Sequence, residues 1–254
     1  MSPTALVTGV GRREGIGAAI CTELATTGHN IAYSFWSPYD RAAPLGSEKN
    51  FGASFEDELR RLDVQAHGIE ADLSSETEPA ELMRKVRALL GDVTVLVNNA
   101  AVSEQGDIRQ FDAGMMDRHY AVNVRGMVLL TQAYVDQYSG AFPGRVVNLT
   151  SGQSKGPMPD EVAYATSKGA VEAFTLTVYP TLARDGITIN AINPGPTDSG
   201  WISEELRAEL ITQFPFGRIG TPQDVAKLVG FLVSDEGGWV TGQIIHSEGG
   251  FWRK

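Results

Sequence analysis

Tyr164 and Lys168 stand four residues apart in a stretch, Ser151 to Lys168, that opens directly after the run Arg145-Val-Val-Asn-Leu-Thr150. On a helix, residues four apart lie on one face, one above the other. Ser151 falls where a buried strand ends, and strand ends are where open α/β sheets bind ligands. A hydroxyl, a phenol and an ammonium can therefore converge on one point. Free tyrosine, with a pKa of about 10, is a poor base at neutral pH, and bringing it to ~7 requires about 4 kcal/mol. A cation ~4 Å away at an effective dielectric of ~20 supplies that much. On this reading Lys168 lowers the Tyr164 pKa, Tyr164 moves a proton, and Ser151 holds a substrate oxygen. The same spacing also fits an ordinary helix pair, so the rest of the chain must decide.

The elements that would position these groups alternate. Thr4–Val7 reads as a short buried strand, followed by the glycine-rich turn Thr8-Gly-Val-Gly-Arg-Arg-Glu-Gly-Ile-Gly17 and a helix from Ala18 to about Thr27. Such a turn lets backbone approach a phosphate, and the helix N-terminus offers unpaired N–H groups. Asn30–Phe35 is the second strand. The polar stretch Ser37 to Ser54 reads mostly as a solvated loop whose first residues follow a strand end. A helix at Phe55–Leu62, a strand at Val64–Glu70, a helix at Glu76–Leu90 and a strand at Val93–Val97 come next. Asp112 to Asp136 carries helical signals, with Asn123 in an otherwise apolar run that would bury it; a buried amide needs partners. A helix to about Arg184, a strand at Ile187–Ile192, a short helix within Trp201–Phe216, a helix from Pro222 capped by Thr221, and a last strand at Gly242–His246 complete the chain. This alternation predicts one α/β domain over residues 1–254: a doubly wound, Rossmann-type parallel sheet of about seven strands with helices on both faces. A substrate lid is expected around 197–217, where Trp201, Ile202, Phe214 and Phe216 are apolar.

Composition narrows the classes. The 254 residues are 42% hydrophobic and 20% charged, with 21 basic against 31 acidic side chains, a net charge of −10. An acidic chain without a basic block is a poor partner for nucleic acid or an anionic membrane. The single cysteine, Cys21, excludes an intramolecular disulfide, and the four histidines have no ligand spacing, so no metal site is expected. The N-terminus has no signal-peptide pattern and no apolar run is long enough to span a bilayer, so a cytoplasmic protein is expected.

Together these motifs resemble the short-chain dehydrogenase/reductase family, over essentially the whole chain, with particular similarity to its 3-oxoacyl-acyl-carrier-protein reductases. Thr8-Gly9 with Gly15-Ile16-Gly17 resembles the family's cofactor turn. Asp72, followed by Leu73, stands where the family's Asp holds adenine, and Asn98-Asn99-Ala100 matches its sheet-stabilising triplet. Asn123, Ser151, Tyr164 and Lys168 match its catalytic tetrad in order, and Pro194-Gly195 with Thr197 matches its nicotinamide-binding segment. The resemblance implies an oxidoreductase that moves hydride between a nicotinamide cofactor and a carbonyl or secondary alcohol. Tyr164 would protonate the carbonyl oxygen and Ser151 would orient it. Lys168 would lower the Tyr164 pKa and hold the ribose, and Asn123 would hold a relay water. A non-catalytic nucleotide sensor on the same fold is the alternative, but it would be expected to lack one of the four.

The departures carry information. Between Thr8-Gly9 and Gly15-Ile16-Gly17 the turn holds five residues, Val10 to Glu14, where the family usually has three. That also resembles enoyl reductases, but the position where those carry their tyrosine is Glu161 here, so C=C reduction is disfavoured. Ala101 replaces a usual glycine, and Glu248 stands where Asp is usual. At the end of the second strand, where family members that use NAD carry an acidic residue, this chain has Trp36; Asp40 is the first carboxylate. Arg12 and Arg13 sit in the turn where relatives that use NADP carry a basic residue, and a guanidinium can grip phosphate with two hydrogen bonds. NADP(H) is therefore favoured over NAD(H). Two long helices resemble the family's dimer-forming pair and imply a homodimer or homotetramer. By alignment, Leu129 and Asp185 occupy positions where some relatives carry basic residues for an acidic carrier protein. A small, carrier-free substrate is expected.

Overall fold

In the computed structural model, which describes residues 2–42, 48 and 51–253, the central strands of the sheet are buried at every position and those toward its edges only in part. The strands are β1 (Thr4–Val7), β2 (Asn30–Phe35), β3 (Ala66–Glu70), β4 (Val93–Asn98), β5 (Gly144–Leu149), β6 (Ile187–Asn193) and β7 (Ile244–His246). All pair in parallel, in the order β3-β2-β1-β4-β5-β6-β7. Side chains alternate between faces with period two, and both faces are covered, so the central strands read as continuous apolar runs. Ala5 and Val7 point into one core with Ile20, Leu24, Phe55 and Val229. Leu6, between them, points into the other with Leu82, Val86, Leu130 and Ile189.

The helices are α1 (Ile16–Thr26), α2 (Ser37–Ala42), α3 (Phe51–Arg60), α4 (Glu78–Leu90), α5 (Ala113–His119), α6 (Met127–Gln137), α7 (Val162–Arg184), α8 (Glu204–Ile211) and α9 (Pro222–Val233). Residues from α1, α3 and α9 fill the first core, and residues from α4, α6 and α7 fill the second. The expected seven-stranded doubly wound fold is the observed one. Because the order reverses between β2-β1 and β4-β5, a crevice opens at the carboxyl ends of β1 and β4. Among the described residues, no helix is long and apolar enough to cross a membrane.

Two stretches differ from expectation. The polar stretch 37–54 is not mostly loop: α2 turns back from β2 over 37–42, and α3 begins at Phe51. Residues 43–47, 49 and 50 of that stretch lie outside the described residues. Phe51, Phe55 and Leu59 are buried at helical spacing, a stripe whose first member is hidden in a polar run. The helix expected from Asp112 to Asp136 is interrupted. Tyr120–Gly126 forms a π-helix between α5 and α6, and Asn123 lies within it. Such wide turns are rare and favour functional positions.

Candidate active site

The floor of the crevice is the first turn. Gly9 has φ +72°, and a Cβ there would lie 2.6 Å from the Ala100 Cα, so only glycine lets β1 and β4 approach this closely. Thr8 Oγ1 accepts from the amides of Asn99 and Ala100 at 3.0 Å each. Asn99 Nδ2 donates to the Thr8 and Gly9 carbonyls at 2.8 and 3.0 Å. Beneath them, Asn98 Nδ2 donates to Asn148 Oδ1 (2.8 Å), and Asn148 Nδ2 donates to Thr175 Oγ1 (3.0 Å). This buried ladder ties β4 and β5 to α7. The N-terminus of α1, capped by Gly15 without a side-chain acceptor and with no acid in its first turn, points its free N–H groups and positive dipole end into the crevice.

A cavity of about 310 Å³ opens there, at the lower end of the range of about 300–1,000 Å³ for small-molecule sites. Gly9, Arg12, Gly15, Ile16, Gly17, Trp36, Asp72, Leu73, Asn99 and Ala100 line it. Asp72 is oriented by the amide and hydroxyl of Ser74, at 2.9 and 2.6 Å. Several lining residues were not anticipated: Gly11, Ser34, Phe35, Tyr39, Ala71, Ala101, Val102, Val122 and Ser199. Ala71 and Ala101 follow strand ends and were legible by that rule. Tyr39 and Ser199 arrive from α2 and from the segment after β6, which only packing brings over the crevice.

Arg12 and Arg13 part company. Arg12 lines the cavity, where its guanidinium donates to the Ser199 carbonyl and, at 3.4 Å, to Ser199 Oγ. Burial lowers its pKa, against the nearby charges of Glu14 and Asp40. Arg13 does not line the cavity. It turns out toward α3, where it pairs with Glu58 (2.7 Å) and lies 5.6 Å from the Phe51 ring centre, and it also pairs with Glu48 ahead of that helix. Two carboxylates hold it there, so the structure does not bring Arg13 to the site as the sequence reading expected. Asp40, carried back by α2, does line the cavity; burial raises its pKa and Arg12 opposes the rise.

The tetrad candidates converge from three places: the end of β5, the π-helix and α7. Ser151 follows β5 in an extended conformation, and its hydroxyl opposes the rise in the Tyr164 pKa. Tyr164 and Lys168 lie in the first two turns of α7. Lys168 is 3% exposed; its ammonium donates to the Leu149 carbonyl at 2.8 Å and lies 5.5 Å from the Tyr164 ring centre. The expected drop in the Tyr164 pKa is absent. Burial pushes the phenol up to about 12, the Glu161 charge adds to the rise, and the Ser151 hydroxyl opposes it. Burial also pulls the Lys168 ammonium down to about 8. Each group is desolvated in the same pocket, which disfavours the charged form of both. The ammonium is also directed at a backbone carbonyl.

Asn123 is 2% exposed and well satisfied. Its Nδ2 donates to the Val102 carbonyl and to Ser167 Oγ, both at 2.9 Å, and its Oδ1 accepts from the Val102 amide at 2.7 Å. The amide hydrogens are thus both engaged, and the side chain anchors the π-helix to the loop after β4. Beside it, His119 packs edge-on to Tyr164 at 6.5 Å between ring centres. Its Nδ1 lies 2.8 Å from the Met115 carbonyl and its Nε2 accepts from the Glu104 amide at 3.1 Å, which holds the ring in place. Pro194, Gly195 and Thr197 follow β6 and are not among the residues lining the cavity. Gly195 has φ +64°, its amide donates to Asn193 Oδ1 at 2.9 Å, and Thr197 Oγ1 donates back to the Pro194 and Gly195 carbonyls at 3.2 Å each.

A parallel sheet with a glycine turn, an uncapped helix N-terminus and an acidic residue after β3 around one crevice defines a dinucleotide-binding protein of the Rossmann type. Residues 9–252 match the family described as enoyl-(acyl carrier protein) reductase. The chain is 43% identical over 251 residues to an uncharacterized oxidoreductase, YjdA, of Bacillus subtilis, covering 98% of this chain and 96% of that one. It is 31% identical to the 3-oxoacyl-[acyl-carrier-protein] reductase FabG of Staphylococcus epidermidis, over 99% and 100% of the two chains. A short-chain dehydrogenase from Burkholderia cenocepacia, solved in complex with NADP, superposes with a TM-score of 0.86 at 28% identity, covering 98% and 97%. The chain belongs to the short-chain dehydrogenase/reductase family, and is an oxidoreductase of small molecules that uses a nicotinamide cofactor.

Proposed function

We propose that this oxidoreductase is an NADP(H)-dependent carbonyl reductase, running in reverse as a secondary-alcohol dehydrogenase. The observation that carries this reading is the convergence of Ser151, at the end of β5, with Tyr164 and with Lys168 directly behind the Tyr164 ring. The cavity suits a dinucleotide: glycines at its floor admit the pyrophosphate, and the α1 N–H groups would bind it. Asp72 would receive the adenine end. Bound there, the nicotinamide supplies the hydride. Ser151 holds the carbonyl oxygen by hydrogen bond and directs it at the Tyr164 hydroxyl. Tyr164, with its pKa raised, keeps its proton at neutral pH and donates it to that oxygen as negative charge develops. Lys168, behind the ring, would stabilise the resulting phenolate by its charge and hold the ribose hydroxyls of the cofactor. Asn123 holds the loop after β4 in place; a proton relay would run through its backbone or the remaining lone pair of its Oδ1. The segment 197–217 would cover the substrate. The absence of a tyrosine at position 161 supports C=O over C=C reduction. The acidic chain, with Leu129 and Asp185 in place of basic residues, supports a free ketone over a carrier-bound one.

NADP(H) is supported by the Arg12 guanidinium in the cavity wall, by Trp36 rather than a carboxylate after β2, and by the NADP complex of the Burkholderia relative. Asp40 favours a second reading, NAD(H), because a half-buried carboxylate would repel a 2′-phosphate and accept from a 2′-hydroxyl. The deciding measurement is kcat/KM for NADPH and NADH across a ketone panel that includes a carrier-linked ketoacyl substrate. We expect NADPH preference, reduced about tenfold or more in Arg12→Ala by loss of a charged contact and increased in Asp40→Asn. A wild-type preference for NADH would establish the second reading, and a carrier-linked substrate far outperforming every free ketone would overturn the substrate class.

A further inference from the structure

The loop that begins at Ser151 is held from outside the four catalytic candidates. Arg253 lays its guanidinium over it. A Cβ at Gly152 would lie 2.0 Å from one terminal nitrogen of Arg253, and a Cβ at Gly156 would lie 2.7 Å from its Cδ. The loop therefore presents two glycines to one arginine, and the arginine occupies the space that both leave. The same terminal nitrogen is also anchored. It pairs with Glu248, whose side chain is 7% exposed against 20% for Arg253. Glu248 in turn packs on Gly195, where a Cβ would meet its Cβ at 3.0 Å. Arg253 also stacks 5.1 Å from the Phe251 ring centre, and Phe251 packs on Phe214 at 4.9 Å. The Trp252 amide donates to the Gln213 carbonyl at 2.9 Å. One side chain thus joins the loop after β5, the segment after β6 and the apolar cluster around Phe214.

We propose that Arg253 is a positioning residue of the reaction centre: anchored on buried Glu248, its guanidinium seats the loop 151–156 and so sets the Ser151 hydroxyl against Tyr164. The inference rests on reading Ser151 and Tyr164 as the reacting pair. A carboxylate is needed at 248 because a nearly buried guanidinium requires a charged, hydrogen-bonding partner. Burial raises the Glu248 pKa, but its hydrogen bonds from Arg253 and Asn193 outweigh that and hold it below its ordinary value, so the pair stays ionised at neutral pH.

The test displaces the guanidinium in two independent ways. Arg253→Ala removes it; Gly152→Ala pushes it off the loop while leaving the residue in the chain. In each, kcat for ketone reduction should fall on the order of tenfold to a hundredfold, as expected for a misplaced catalytic hydroxyl. The Kd for NADPH, read by fluorescence, should change by less than about twofold, since neither residue lies in the cofactor cavity. The double variant should be no worse than either single, because both remove one interaction. Arg253→Lys should recover part of the rate. Amide hydrogen exchange over 152–156 should quicken in Arg253→Ala and Gly152→Ala alike. Unchanged exchange and kcat in Arg253→Ala would overturn the proposal, as would additive losses in the double variant. Exchange reads the seating without turnover. A wild type that reduces no ketone would therefore end the reductase reading, and exchange would still decide whether Arg253 seats the loop.

Discussion

Replacing Lys168 with Met should make the folded protein lose a pH dependence that the wild type carries. The ammonium is 3% exposed, and burial lowers its pKa from 10.5 to about 8. The sign follows from proton counting. Between about pH 8 and 10.5 the unfolded chain holds a proton on this lysine that the folded chain has lost, so stability rises with pH across that window. Below pH 8 both states are protonated and the folded state bears the full cost of a buried charge, about 3 kcal/mol for that interval of pKa. From pH 7 to pH 10 the wild type should regain about 2.5 kcal/mol of it. Met has similar length and no charge, so Lys168→Met should lack this term. Urea unfolding of both proteins at intervals from pH 7 to 10 measures it as the difference between their stabilities, in which the other titrating groups cancel. The wild type should gain on the variant steadily above pH 8. At pH 7 the variant should also have lost ketone reduction. Parallel stability curves would refute the argument, showing that the ammonium is solvated or paired more strongly than its single bond to the Leu149 carbonyl indicates.

Tyr164→Phe removes the proton donor while keeping the ring that packs on His119, so turnover should fall about a hundredfold or more with NADPH binding retained; near-normal turnover would remove Tyr164 from the chemistry. The chain should be a homodimer or homotetramer built on α6 and α7, whose outer face exposes Leu176 by 50% and Tyr179 by 37%. Light scattering at micromolar concentration checks this, and a monomer would contradict it.

Much of the molecule was legible in one dimension because the signals that specify it are local. Apolar runs and glycine punctuation give the seven strands, and their alternation with helices gives the parallel, doubly wound sheet. The glycine turn, Asp72, Asn99 and the order Asn123, Ser151, Tyr164, Lys168 are matters of residue type and spacing. Helical spacing alone puts Tyr164 and Lys168 on one face. What only the tertiary structure decided concerns groups whose behaviour is set by neighbours distant in sequence. Arg12 and Arg13 are adjacent and chemically identical, yet Ser199 draws one into the cavity wall while Glu48 and Glu58 draw the other away. Asp40 reaches the cavity because α2 folds back over the crevice. Spacing predicted a lowered Tyr164 pKa from the lysine's charge, whereas desolvation depends on everything packed around the pair and pushes both groups toward neutrality. Arg253 lies about a hundred residues beyond Ser151, and no periodicity or motif relates them. Their contact exists because the segment after β7 returns across the carboxyl ends of the strands, where Gly152, Gly156 and Glu248 leave a place for one guanidinium.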